Sequence, residues 1–167
     1  KLHPICAPGY VGGPDAAQYW SELVGREAGP IEPTASSLWA VNGFDSNSGY
    51  LLPNKEYTLQ RTRCTGSHRA SLESLRRGEV DFAAIDGHVW ERTKAKSPER
   101  IRNLKSLRRM GPSPAPPWVA TDRAKAHMRR EFTRVILQWQ PDDLARYGLR
   151  EFSTVDDAYY APIRDLV

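Results

Sequence analysis

Apolar residues are spaced in two ways along this chain, and the two spacings divide it into strands and helices. Residues 38–43 (LWAVNG) and 80–85 (VDFAAI) are nearly continuous apolar runs of strand length, which predicts short strands buried on both faces. Residues 2–6 (LHPIC), 18–27 (QYWSELVGRE), 59–64 (LQRTRC) and 104–109 (LKSLRR) read as further strands with polar interruptions. From Ser67 the period lengthens. Ala70, Leu72 and Leu75, with Gly78 just beyond, predict a helix with a serine cap and a glycine stop. A second helix is predicted around 89–103, and the small hydroxyl residues of 44–50 (FDSNSGY) start another. The strongest amphipathic stretch, 125–139, puts Met128, Phe132, Val135, Ile136 and Trp139 on one face, which is predicted to face the core. Residues 26–37 read as a linker, 7–16 and 110–121 as glycine- and proline-rich turns, and 153–167 as a short closing helix. Strands alternating with helices predict an α/β fold with a parallel sheet.

Composition narrows the class of function. The chain is 40% hydrophobic and 26% charged, and no apolar run approaches the roughly 20 residues that cross a bilayer, so no transmembrane segment is predicted. The opening KLHPICAPGY has neither the long apolar core nor the cleavage site of a signal peptide. A net charge of +4 mildly favours anionic partners, but the arginines are scattered, mostly beside acids, and read as a solvated face, so no nucleic-acid partner is predicted. Cys6 and Cys64 fit no metal spacing, and nothing in the sequence supports a bond between them. With no Ser/His/Asp or Cys/His arrangement and no phosphate-cradling glycine loop, no catalytic residue, metal or cofactor is expected, and the chain does not read as an enzyme.

The candidate chemistry sits where strands end. In open parallel sheets ligands bind outside the carboxyl ends of the strands, and three such ends here carry unusual residues: Ser46, Asn47, Ser48 and Gly49 after the 38–43 run, Thr65, Gly66, Ser67 and His68 after the 59–64 run, and Asp86 after the 80–85 run. Helix starts offer free N–H groups, and with these hydroxyls and the histidine they suit a tetrahedral oxyanion. A carboxylate at Asp86 repels a fully ionised anion but accepts a proton from a monoprotonated phosphate or phosphonate. Each residue also has an ordinary role. Ser46 and Ser67 serve as N-caps, Asp86 caps the following helix, and His68 pairs with a neighbouring turn. The conjunction of the three ends carries the functional reading.

Residues 6–26, 41–52, 65–91, 111–121 and 160–166 together, and in this order, resemble the phosphate, phosphite and phosphonate substrate-binding proteins of ABC transporters. The resemblance implies a type 2 periplasmic-binding-protein fold, two α/β lobes that close over an anion. It maps the family's anion-binding serine turn onto Ser46, Asn47, Ser48 and Gly49, its second loop onto Thr65, Gly66, Ser67 and His68, and its strand-end acid onto Asp86. The family's opening β-α-β stretch has no counterpart here, so the expectation is one more complete lobe at 32–103 and a partial one from 1–31 and 104–167. Pro53 is expected to cut the helix after the serine turn, and Glu22 and Gly25 to weaken their strand. Two classes follow. One is a degenerate oxyanion-binding domain, periplasmic or extracytoplasmic as a transporter receptor, taking a phosphate- or phosphonate-type anion. The other is an accessory subunit that has lost ligand binding, organellar, with other protein subunits as partners.

Overall fold

The computed structural model describes residues 1–136 and 138–164. Along it run β1 (Leu2–Tyr10), β2 (Gln18–Arg26), β3 (Leu38–Val41), α1 (Leu52–Tyr57), β4 (Arg61–Cys64), α2 (His68–Arg76), β5 (Phe82–Asp86), α3 (Gly87–Lys96), β6 (Leu104–Pro114), β7 (Trp118–Thr121), α4 (Lys125–Ile136), α5 (Pro141–Arg146), β8 (Leu149–Thr154) and α6 (Ala161–Arg164). Among the described residues they build two units, a central one of Trp20–Gly111 and a terminal one of Lys1–Tyr19 with residues 112–164. The boundaries expected at 31/32 and 103/104 thus move outward, because β2 and β6 join the sheet of the central unit.

That sheet has the order β4-β3-β5-β2-β6. β3 runs parallel to β4, from Leu38↔Arg61 to Val41↔Cys64, and parallel to β5 through Trp39↔Phe82 and Ala40↔Ala83. β2 runs antiparallel to β5, from Ser21↔Asp86 to Gly25↔Phe82, so the sheet is mixed and not parallel throughout. A strand buried on both faces shows the same apolar run whichever way its neighbour points, which is why direction was not legible locally. The alternation of side chains divides the core in two. Val24, Ala40, Ala83 and Ile85 pack with Leu72, Leu75 and Trp90 on one face, while Leu23, Trp39, Val41, Phe82 and Ala84 pack with Leu52 and Met110 on the other.

The expected weakness of β2 does not materialise. Glu22 is only 3% exposed, yet its carboxylate accepts from Trp20 Nε1 at 2.7 Å, Ser106 Oγ at 2.5 Å and Arg109 Nε at 3.1 Å. The Arg109 guanidinium also stacks 4.8 Å from the Trp20 ring centre. A buried charge so furnished with donors is tolerated inside a sheet. At Gly25 a Cβ would come within 2.9 Å of Leu107 Cδ1, so the missing side chain leaves room for Leu107 to pack against the strand. α2 ends as expected, at a glycine in the left-handed region (Gly78, φ +73°). α3 stops at Lys96, short of 103, because Pro98 has no N–H to continue the ladder and opens a 3-10 turn instead.

In the terminal unit β1 lies between β7 and β8, antiparallel to both. Of the stretches expected as turns, 7–16 is strand only to Tyr10, where β1 ends, and turns from residue 11 as expected, whereas 110–121 is largely strand: β6 continues to Pro114 and β7 follows. Prolines obscured them, and a register shift between Pro4 and Cys6 shows how the ladder accommodates a residue without an N–H. His3 is buried and lies between two carboxylates, Nδ1 2.7 Å from Asp157 and Nε2 2.5 Å from Asp122. The amphipathic face of α4 is not core. Phe132 packs on Trp118 and Phe152, but Met128, Val135 and Trp139 remain 39%, 42% and 40% exposed. Helix periodicity reports amphipathicity, and a three-stranded sheet is too narrow to cover the whole stripe. Of the closing helix at 153–167, the first residues belong to β8 and only Ala161–Arg164 is helical; residues 165–167 lie outside the described residues. Both thiols are free, Cys6 buried and Cys64 exposed. No helix among the described residues is long and apolar enough to cross a membrane.

Candidate functional site at the strand ends

Parallel pairing brings the carboxyl ends of β3, β4 and β5 to one edge of the central sheet, and each end launches a helical turn capped by its own side chain. After β3 the Ser46 hydroxyl accepts the Gly49 N–H at 3.1 Å and opens a π-helical turn, Asn47–Leu51, which α1 continues for six residues from its proline start. Gly49 is needed for room, since a Cβ there would overlap the Asn42 side-chain amide. After β4 the chain turns through Gly66 at φ +83°, and Ser67 Oγ accepts the Ala70 N–H at 3.1 Å to start α2 with His68. After β5 Asp86 accepts the Val89 N–H at 3.1 Å and starts α3. All three expected caps are therefore present, and each sits at the positive end of a helical turn.

Two of the predicted residues touch directly. His68 Nε2 lies 3.1 Å from Ser48 Oγ and 3.5 Å from the Asn42 amide nitrogen. Burial pushes the His68 pKa below the ordinary histidine value, while the Asp86 carboxylate and the Ala84 backbone pull it upward. Its Nδ1 makes no hydrogen bond of full geometry. Ser48 is itself fixed, its carbonyl accepting from Ser21 Oγ at 2.9 Å, and Ser21 stands opposite Asp86 in the β2–β5 ladder. Ser48, His68 and Asp86 thus form one group, with Ser46, Asn47 and Gly49 in the Ser48 turn and Ser67 beside His68.

Thr65 is oriented differently. Its hydroxyl meets the Val41 carbonyl at 3.1 Å and Ser71 Oγ at 2.7 Å, tying the loop to the end of β3 and to α2. Ser46 and Ser67 act as acceptors in their caps and keep a hydroxyl proton to donate. Sequence reasoning missed Asn42 and Ser21. Asn42 is the first residue beyond β3, a position that the strand-end rule covers, whereas Ser21 lies inside β2 and becomes visible only through the antiparallel register.

Residues 10–160 match the family described as "ABC transporter, phosphonate, periplasmic substrate-binding protein". The chain belongs to that family. No curated protein matches the sequence. Among solved structures, a binding-protein component of an ABC phosphonate transporter from Pseudomonas aeruginosa superposes with a TM-score of 0.77 at 24% identity, over 99% of this chain and 61% of that one. PhnD1 from Prochlorococcus marinus, solved with methylphosphonate, gives 0.76 at 19% identity over 98% of this chain and 70% of its own. XAC2383 from Xanthomonas citri, solved bound to ATP, gives 0.73 at 16% identity over 99% and 69%. These likenesses establish the α/β fold of the two-lobed periplasmic binding proteins, of which this chain spans 61% of the Pseudomonas protein's length.

Proposed function

We propose that the edge formed by β3, β4 and β5 binds a monoprotonated oxyanion of the phosphonate or phosphate class. The observation that carries this reading is the Ser48–His68 contact with Asp86 acting on the same ring. A bound anion favours the imidazolium, so ligand entry reverses the effect of burial on His68 and turns it into a second donor beside the hydroxyls. Asp86 already receives the Val89 N–H on one oxygen, which leaves the other to accept a P–OH proton. Sulfate carries no such proton near neutral pH and meets an unopposed carboxylate. The methylphosphonate in the PhnD1 structure is a ligand of the required type.

Affinity in the chain by itself is weak on this reading. Ser48 and His68 satisfy one another, and Thr65 is spent on Val41 and Ser71, so an anion gains only the difference between new and displaced hydrogen bonds. Calorimetric titration with methylphosphonate, phosphate and sulfate tests the proposal. Binding of the first two with a Kd near about 1 mM, lost in Ser48→Ala and His68→Gln, supports it. Asp86→Asn is expected to admit sulfate. Equal binding of sulfate by the unaltered chain refutes the role of Asp86, and a flat titration by a folded chain favours the accessory-subunit reading.

A further inference from the structure

A cavity of the central unit is lined by none of the strand-end residues. It is a groove of about 660 Å³ between α2 and α3, closed by the 3-10 turn Pro98–Ile101. Its lining includes Leu72, Val89 and Thr93, five cations, Arg69, Arg77, Arg92, Lys96 and Arg100, and one acid, Glu73. That acid is spent. Its Oε2 accepts Arg76 Nε at 3.0 Å, and its Oε1 accepts Arg76 at 2.9 Å and Arg77 at 2.7 Å.

Elsewhere on the same helices the cations are paired, as Lys94 is with Glu91 at 3.1 Å. Within the groove Arg69, Arg92 and Lys96 make no ion pair and no side-chain hydrogen bond among the described residues, and Arg100 reaches Glu99 only at 3.8 Å. Arg92 and Lys96 are four residues apart on α3, so two like charges are neighbours on one helix face, and Arg100 of the 3-10 turn lines the same groove. Such spacing costs a helix stability unless something negative lies between the charges.

We infer that this groove is a binding site for a small molecule bearing two or more linked phosphates. Guanidinium forks match phosphate oxygens in pairs, and several cations converging on one concavity outnumber the charge of a single phosphate. The volume falls within the roughly 300–1,000 Å³ of small-molecule sites. An extended peptide finds no sheet edge to pair with here, because the walls are helices whose backbone groups bond within themselves. The apolar side chains of Leu72 and Val89 leave room for an organic portion of the ligand beside the phosphates.

The test is titration of the chain with tripolyphosphate, orthophosphate and hexaglutamate at about 150 mM salt, where long-range attraction between exposed charges is screened. The expected result is tripolyphosphate binding at least about tenfold tighter than orthophosphate or hexaglutamate. The double variant Arg92→Ala/Lys96→Ala should weaken it about tenfold or more, and His68→Gln should leave it within about twofold. Alanine is a better helix former than either residue it replaces, so circular dichroism of the double variant should match the parent. Absence of tripolyphosphate binding, binding unmoved by the double variant, loss of binding in His68→Gln, or hexaglutamate bound as tightly would each overturn the inference. Because the strand-end site is read with methylphosphonate and with Ser48→Ala, either site can fail without the other.

Discussion

Replacing Gly87 with alanine should destabilise the central unit far more than the size of one methyl group implies. Gly87 opens α3 directly after Asp86, and with Ser21 opposite Asp86 in the ladder, Trp20 lies across from it. A Cβ on Gly87 would fall well inside van der Waals contact of Trp20 Cε2 and Nε1. Helix propensity alone favours alanine by about 1 kcal/mol. Against that, overpacking costs about 1–3 kcal/mol. Turning the indole away forfeits its 2.7 Å bond to the Glu22 carboxylate, a charge-assisted bond of about 1.5–3 kcal/mol. The Arg109 stack at 4.8 Å goes with it, about 0.5–1 kcal/mol. The balance is about 4 kcal/mol net, or a fall in Tm of roughly 8–16 °C for a chain of this size. Thermal unfolding followed by circular dichroism and tryptophan fluorescence measures it, and a double-mutant cycle with Trp20→Phe, whose smaller ring relieves the overlap, should show coupling of about 1 kcal/mol or more. A Tm within about 2 °C of the parent, or strict additivity in the cycle, refutes the reasoning.

Further outcomes are expected from the same geometry. Because burial lowers the folded pKa of His68 below its ordinary 6.5, the unfolded chain binds the extra proton first; its contribution to stability is therefore complete above pH 6.5 and declines as pH falls below it, a slope that His68→Gln should reduce in denaturant titrations. Glu22→Ala should cost about 1–3 kcal/mol, since it strands the buried Trp20 N–H, and chemical denaturation with an unchanged midpoint would contradict this. Burial raises the Cys6 thiol to about 12, so a thiol reagent at pH 8 should modify Cys64 and leave Cys6 untouched in the folded chain; rapid release of two equivalents would show that Cys6 is accessible. Asp122 and Asp157 are held below the usual carboxylate pKa by His3, so the stability they provide is present above about pH 4 and lost on acidification, less so in His3→Ala.

What the sequence determined by itself was local: which residues cap, which stop and which are buried. Ser46, Ser67 and Asp86 each precede a helical turn and each accepts an N–H three residues on, because that bond needs only a short acceptor and an adjacent turn. The buried runs at β3 and β5 and the glycine stop at Gly78 were legible for the same reason, being set by burial and sterics within a few residues. Tertiary structure decided everything that depends on a partner far along the chain. The antiparallel entry of β2 beside β5 brought Ser21 to Ser48, and Arg109 and Ser106 turned Glu22 from a strand-breaker into a satisfied carboxylate. Strand pairing also overrode the prolines of β1 and β6, and a narrow sheet left half of the α4 stripe in solvent. The contact between His68 and Ser48 joins residues twenty positions apart across two parallel strand ends, a distance at which the spacing of residues carries no direction and only the register of the sheet places them together.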